Sequence, residues 1–182
     1  MRTLLKLAGL SWKKCKKALG KAKPEQRAGF VRCFQDWFEQ LCQGKLQIIY
    51  VDEVHLHQDL QLGYRWSAVG QADWVPSYCP PLKNRLNWYG AYDLGRGQCF
   101  IWHNETCDAD QTVTFLQQLA DWLPDTTLPT FIIWDGASYH SRSVKVRRQA
   151  QRLGLTLIKL PRYSPDLNPI EGLWKWMRQD LT

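Results

Sequence analysis

Three acidic residues stand where carboxylates are hardest to keep without a partner. LQIIYVDE (46–53) is an apolar, β-branched run that reaches Asp52 and Glu53, and TFIIWD (130–135) repeats the pattern and ends on Asp135. Both read as buried strands. A carboxylate at the end of such a strand must be paired, protonated or metal-bound, because burying a lone charge is costly. The third acid, Glu171, lies in LPRYSPDLNPIEGLWKW (160–176), where Asn168, Pro169 and Glu171 take the N-cap, N1 and N3 positions of a helix. Locally, a capping box that reaches back to the Asn168 amide explains Glu171. In a mixed sheet with the two strands adjacent, the same helix start brings Glu171 beside both aspartates. Three converging carboxylates repel one another and hold raised pKa values unless a cation lies among them. Hard oxygen donors suit Mg²⁺ or Mn²⁺. Two such ions about 4 Å apart activate a nucleophile and stabilise the leaving oxygen in phosphodiester chemistry.

Other candidates have simpler explanations beside the chemical one. Glu53 follows Asp52 directly, so on a strand it faces the opposite side of the sheet, in a structural or supporting role. His140 is a contact for the scissile phosphate or an orienter of a metal ligand, and equally a satisfied histidine at a helix start. Lys145, Arg148 and Arg152 share one helical face and either bind DNA phosphates near the site or form a solvated face. Cys99, His103 and Cys107 are spaced four apart but lack a fourth zinc ligand, and His55 with His57 is a poor metal site for the same reason. Turn chemistry accounts for Asp166.

The elements that must position these residues follow from hydrophobic period. A helix over 25–42 begins after Pro24, carries Phe30, Val31, Phe34, Trp37, Phe38 and Leu41 on one face and ends at Gly44; that face is expected to pack on the main domain. After the first strand come strands at 63–69, 86–94 and 98–103, the last two a hairpin through 95–97, with an irregular proline-rich loop at 71–84. Asp108 or Asp110 caps a helix that runs to Trp122, before Pro124. The strand at 130–135, a basic helix at 141–152, a strand at 155–160 and a closing helix from Pro169 complete the order. Hairpin strands followed by strand–helix alternation give an α/β fold, a mixed sheet flanked by helices.

Charge divides the chain. Residues 1–45 carry eleven Lys or Arg against three acids, whereas 46–182 carry thirteen against fourteen. The basic segment, with Lys13, Lys14, Lys16 and Lys17 at its centre, suits a polyanion such as nucleic acid, or is a solvated tail that aids solubility. Leu4, Leu5, Leu7, Leu10 and Trp12 are too few for a core and read as the trailing end of a larger module, such as the last helix of a helix-turn-helix. Six cysteines without a CxxC pair, no signal-peptide pattern and no apolar run of membrane-spanning length point to free thiols in a reducing cytoplasm.

YVDE, WDGASYH and LPRYSPDLNPIEGLW together resemble the signatures of bacterial insertion-sequence transposases related to the mariner group, which are DDE recombinases. GYRWSAVGQ (63–71) and NWYGAYDL (87–94) resemble that family's second and third strands. The resemblance covers 46–182 and implies a ribonuclease H-like domain over 45–182 with a five-stranded mixed sheet. It puts the catalytic, metal-binding triad on Asp52, Asp135 and Glu171, and 35 residues separate the last two acids. It implies two Mg²⁺ or Mn²⁺ ions, and as partner double-stranded DNA, with terminal inverted repeats and a target chosen with a preference for TA dinucleotides. A homodimer on DNA, associated with the nucleoid, is implied as well. Gly136 departs from the asparagine that many relatives carry after the second aspartate. Residues 1–23 then resemble the basic tail of a helix-turn-helix region otherwise lacking, and 24–44 a linker helix. The expected activity is cleavage at transposon ends followed by joining of the 3′-hydroxyl to target DNA. The alternatives are an inactive remnant that only binds DNA, and a nuclease of the same fold without strand transfer.

Overall fold

The computed structural model describes residues 2–7, 23–57, 85–104, 106–124, 127–135 and 143–180. The elements are α1 (Arg2–Leu7), α2 (Pro24–Cys42), β1 (Gln47–His57), β2 (Arg85–Asp93), β3 (Gln98–Asn104), α3 (Ala109–Trp122), β4 (Thr130–Trp134), α4 (Val144–Arg152), β5 (Leu155–Lys159), a 3-10 turn (Pro165–Leu167) and α5 (Ile170–Asp180). The strands form one sheet in the order β3-β2-β1-β4-β5. β1 is antiparallel to β2 and β2 to β3, while β1–β4 and β4–β5 are parallel. The expected strand at 63–69 and the loop at 71–84 lie outside the described residues.

Alternation along β1 divides the core between two faces. Ile49 and Val51 pack with Tyr89, Ala91, Phe115, Leu119, Val146 and others, beneath α3 and α4. Ile48 and Tyr50 pack with Ile133, Leu160 and the aromatic face of α2, and Val54 packs with Ile170 and Trp174 of α5. Each large side chain so buried contributes about 1.5–3 kcal/mol. Helices α2 and α5 thus cover one face and α3 and α4 the other. Phe30, Phe34, Trp37 and Leu41 make the expected packing of α2, while Val31 and Phe38 from the same stripe are exposed, because they fall on its flanks. In α1, Leu4 and Leu7 are exposed as well.

Local chemistry sets the element ends. After α2, Gly44 adopts φ 68°, and the amides of Gly44 and Lys45 bond to the carbonyls of Leu41 and Gln40, a Schellman closure. Asp108 caps α3, accepting from the Asp110 and Gln111 amides at 2.9 Å each. In the β2–β3 hairpin the buried Asp93 accepts from the amides of Gly95 and Arg96 and from Arg96 Nε.

The first strand is longer than its apolar run. Asp52 does not end β1: the antiparallel ladder with β2 continues from Asp52↔Gly90 to His57↔Arg85. What ends there is the parallel ladder with β4, at Val51↔Trp134.

Candidate active site

Asp52 and Asp135 are neighbours in register. Asp52 is the first residue of β1 beyond its last pair with β4, and Asp135 is the first residue after β4. Period-two alternation assigns both positions to the α2/α5 face, with Ile48, Tyr50, Phe131 and Ile133 before them. Glu53 falls on the other face of β1, as expected. Glu171, the second residue of α5, follows Ile170, which is buried on the same face as Asp52.

Trp174 joins α5 to Asp52. Its indole Nε1 donates to Asp52 Oδ2 at 3.0 Å, although the two residues are 122 positions apart. The ring occupies space that only glycine leaves free. Gly90 pairs with Asp52 across the β1–β2 ladder, and a Cβ there would meet Trp174 ring carbons at 2.3 and 2.4 Å. Sequence periodicity puts Trp174 on the buried side of its helix, but gives no destination for its N–H.

The Asp52 carboxyl is pushed up to about 7, first by burial, then by the negative charges of Glu171 and Glu53. Hydrogen bonds from the Glu53 amide and the Trp174 indole act in the opposite direction. Glu171 is therefore electrostatically coupled to Asp52. The capping box expected for Glu171 does not form. The Asn168 amide, its would-be target, already donates to the Pro165 carbonyl at 2.9 Å, because the 3-10 turn precedes the helix directly. Asn168 Oδ1 is itself buried without a hydrogen-bond partner. Among the described residues, no three His, Cys, Asp or Glu side chains already stand close enough to enclose a cation.

The remaining candidates are distributed elsewhere. Lys145, Arg148 and Arg152 lie on α4, whose Val146 and Ala150 pack on the face opposite Asp52, and Lys145 Nζ bonds Asp110 at 2.8 Å. Lys13, Lys14, Lys16, Lys17 and His140 lie outside the described residues. Cys99 and His103 are exposed on β3, whereas Cys107 packs into the core of the α3 face, so the three do not converge. His55 Nδ1 lies 2.7 Å from Asn87 Oδ1. Asp166 pairs with Arg27 of α2, Nη1 to Oδ1 at 2.8 Å, and a second contact joins Nη2 to Oδ2.

The same architecture is found among solved transposases. A Mos1 transposase paired-end complex with the left transposon end matches with a TM-score of 0.72 at 17% identity, over 99% of this chain and 56% of that one. A Mos1 mariner paired-end complex with Mn matches with a TM-score of 0.71 at 17% identity, over 100% and 56%. A pre-cleavage Mos1 transpososome matches with a TM-score of 0.69 at 16% identity, again over 100% and 56%. The chain therefore spans little more than half the length of these proteins, and at such identities the likeness is one of fold: a ribonuclease H-like mixed sheet of five strands with flanking helices. No curated protein matches the sequence. A family profile does: that of the DDE superfamily endonucleases covers residues 47–182, from the start of β1 through the closing helix. With both acid-bearing strands and the helix of Glu171 inside that match, this chain belongs to the DDE superfamily endonucleases.

Proposed function

We propose that residues 45–182 are the catalytic domain of a transposase of the bacterial insertion-sequence type, and that Asp52, Asp135 and Glu171 are its catalytic carboxylates. The observation that carries this reading is the end of the β1–β4 ladder at Val51↔Trp134, one step before two aspartates, together with the bond from the Glu171 helix to the first of them.

The donor set fits a hard divalent cation by type. It offers only carboxylate oxygens, and one of them belongs to a half-buried group whose pKa of about 7 marks a charge in want of a counterion. Asp52, Asp135 and Glu171 would hold two Mg²⁺ or Mn²⁺ ions, which when bound activate water and stabilise the leaving oxygen in in-line displacement at phosphorus. The protein's own share is positional. The ladder with β2 fixes Asp52 opposite Gly90, Trp174 orients its carboxylate, and α5 delivers Glu171. One constellation serves both hydrolysis at an element end and attack by the freed 3′-hydroxyl on target DNA, because each is an in-line phosphoryl transfer. Double-stranded DNA with terminal inverted repeats, a TA-containing target and a dimer assembled on DNA belong to this reading. So do a DNA-contacting basic segment at 1–23 and a linking role for α2.

The test is incubation of the protein with DNA carrying element ends and a target, in Mg²⁺ or Mn²⁺, alongside Asp52→Asn, Asp135→Asn and Glu171→Gln. Cleavage and joining by the wild type, lost in all three variants, is the expected result. Cutting without joining identifies a nuclease, DNA binding without cutting an inactive binder, and activity that survives all three substitutions removes the triad.

A further inference from the structure

Among the described residues, α4 is not the basic surface that lies beside the paired aspartates. A cleft of 440 Å³, in the size range of small-ligand sites, opens between the start of α2 and the segment that leaves β5. Lys23, Gln26 and Phe30 line one side and Lys159, Leu160 and Arg162 the other. Lys159 lies at the edge: its register partner Trp134 packs toward α3, so alternation turns the Lys159 side chain to that face. Among the described residues, neither Lys23 nor Arg162 pairs with a carboxylate.

Its location follows from the ladders. Trp134↔Lys159 is the last β4–β5 pair, and the Leu160 amide bonds the Trp134 carbonyl at 2.9 Å, so the cleft begins beside Asp135. Phe30 and Leu160 belong to the apolar cluster of Tyr50 and Ile133, the face that carries Asp52. The Arg27–Asp166 pair ties the wall formed by α2 to the turn that leads into Glu171. Helix α4, in contrast, packs on the opposite face with Lys145 already bonded to Asp110.

We propose that this cleft is a subsite for the phosphodiester backbone of the DNA strand that passes the acids. Lys23 and Arg162 neutralise its phosphates, and Phe30 and Leu160 form an apolar floor. Two cations from two separate elements, with no acid among the lining residues, select a polyanion over a neutral ligand, and the floor suits the sugar of a nucleotide better than a bare inorganic ion. The inference rests on the DNA-processing function proposed above.

Neutralising phosphates releases counterions, so binding weakens with salt at a slope of about 0.9 per contact on duplex DNA. Anisotropy of a short fluorescein-labelled duplex of arbitrary sequence, titrated with the full chain in EDTA between about 50 and 200 mM KCl, reads that slope. The double variant Lys23→Gln/Arg162→Gln is expected to lower it by about 2. Arg162→Lys keeps the charge and keeps the slope, which separates charge loss from misfolding, and Lys145→Gln/Arg148→Gln/Arg152→Gln changes the slope less than the cleft double variant does. A cleft double variant that binds with the wild-type slope overturns the subsite and leaves the proposed function standing. A wild type with no salt-dependent DNA binding overturns both.

Discussion

Trp174 and Asp52 meet through one hydrogen bond, Nε1 to Oδ2 at 3.0 Å, and it joins the closing helix to the central strand at the candidate catalytic carboxylate. A hydrogen bond to a charged acceptor contributes about 1.5–3 kcal/mol, and it favours the ionised form. Trp174→Phe keeps most of the ring and removes the donor. The Asp52 pKa is then expected to rise above its present value of about 7. In the proposed enzyme, the rising limb of the cleavage pH profile moves to higher pH, with the lost rate regained in more alkaline buffer. A uniform loss at every pH would mean that Trp174 only packs.

Gly90 makes that contact possible. A methyl group there would lie 2.3 Å from the Trp174 ring, with the Ile170 side chain also at 3.1 Å. Gly90→Ala is expected to cost about 1–3 kcal/mol through overpacking. The cost should fall in a Trp174→Leu background, where the clashing ring is gone. A double-mutant cycle by urea denaturation measures the coupling; strictly additive effects would place the strain elsewhere.

How much of this was legible in the sequence depends on the range of the interaction. The Asp108 cap, the Gly44 closure and the 95–97 hairpin are local, and their residues announce them. The length of β1 was legible too, since Val54 and Leu56 alternate with His55 and His57 in the half-buried strand pattern; the apolar run before them drew the boundary too early. The capping box failed for a reason two steps away, a 3-10 turn whose Pro165 carbonyl takes the Asn168 amide first. The pattern of α4 predicts a buried stripe at Val146 and Ala150, but which face of the sheet receives that stripe is set by chain crossing, not by local period. Trp174 lies at the far limit: its partner is 122 residues away.

The raised Asp52 pKa also makes a signed prediction for stability. A carboxyl at about 7 in the folded chain and near its ordinary 3.8 when unfolded binds its proton more tightly in the native state. The stability it contributes is complete below about pH 4 and is lost as pH rises through about 7, at about 1.4 kcal/mol for each pH unit crossed between the two values. Asp52→Asn removes the titration while leaving an amide oxygen for the Trp174 donor. In EDTA the variant should match the wild type near pH 4 and exceed it by about 2–4 kcal/mol at pH 8. Chemical denaturation of both proteins across that range checks it, and a wild type more stable than the variant at pH 8 would contradict a half-buried carboxylate held against its preference for water.

Divalent cations should narrow that gap. A cation at the proposed site binds the ionised carboxylate and only the folded chain offers it, so saturating Mn²⁺ stabilises the wild type by about 2.7 kcal/mol at one hundred times its Kd. The Asp52→Asn variant, neutral at the same position, should gain little. Because the cation competes with the Asp52 proton, Mn²⁺ affinity should climb nearly tenfold per pH unit below about 7 and level off above it. Thermal melts with and without Mn²⁺, paired with calorimetric titrations at several pH values, provide both measurements without any DNA. Equal Mn²⁺ stabilisation of wild type and variant would put the cation somewhere other than beside Asp52, and chelation would then have no reason to suppress cleavage through that residue.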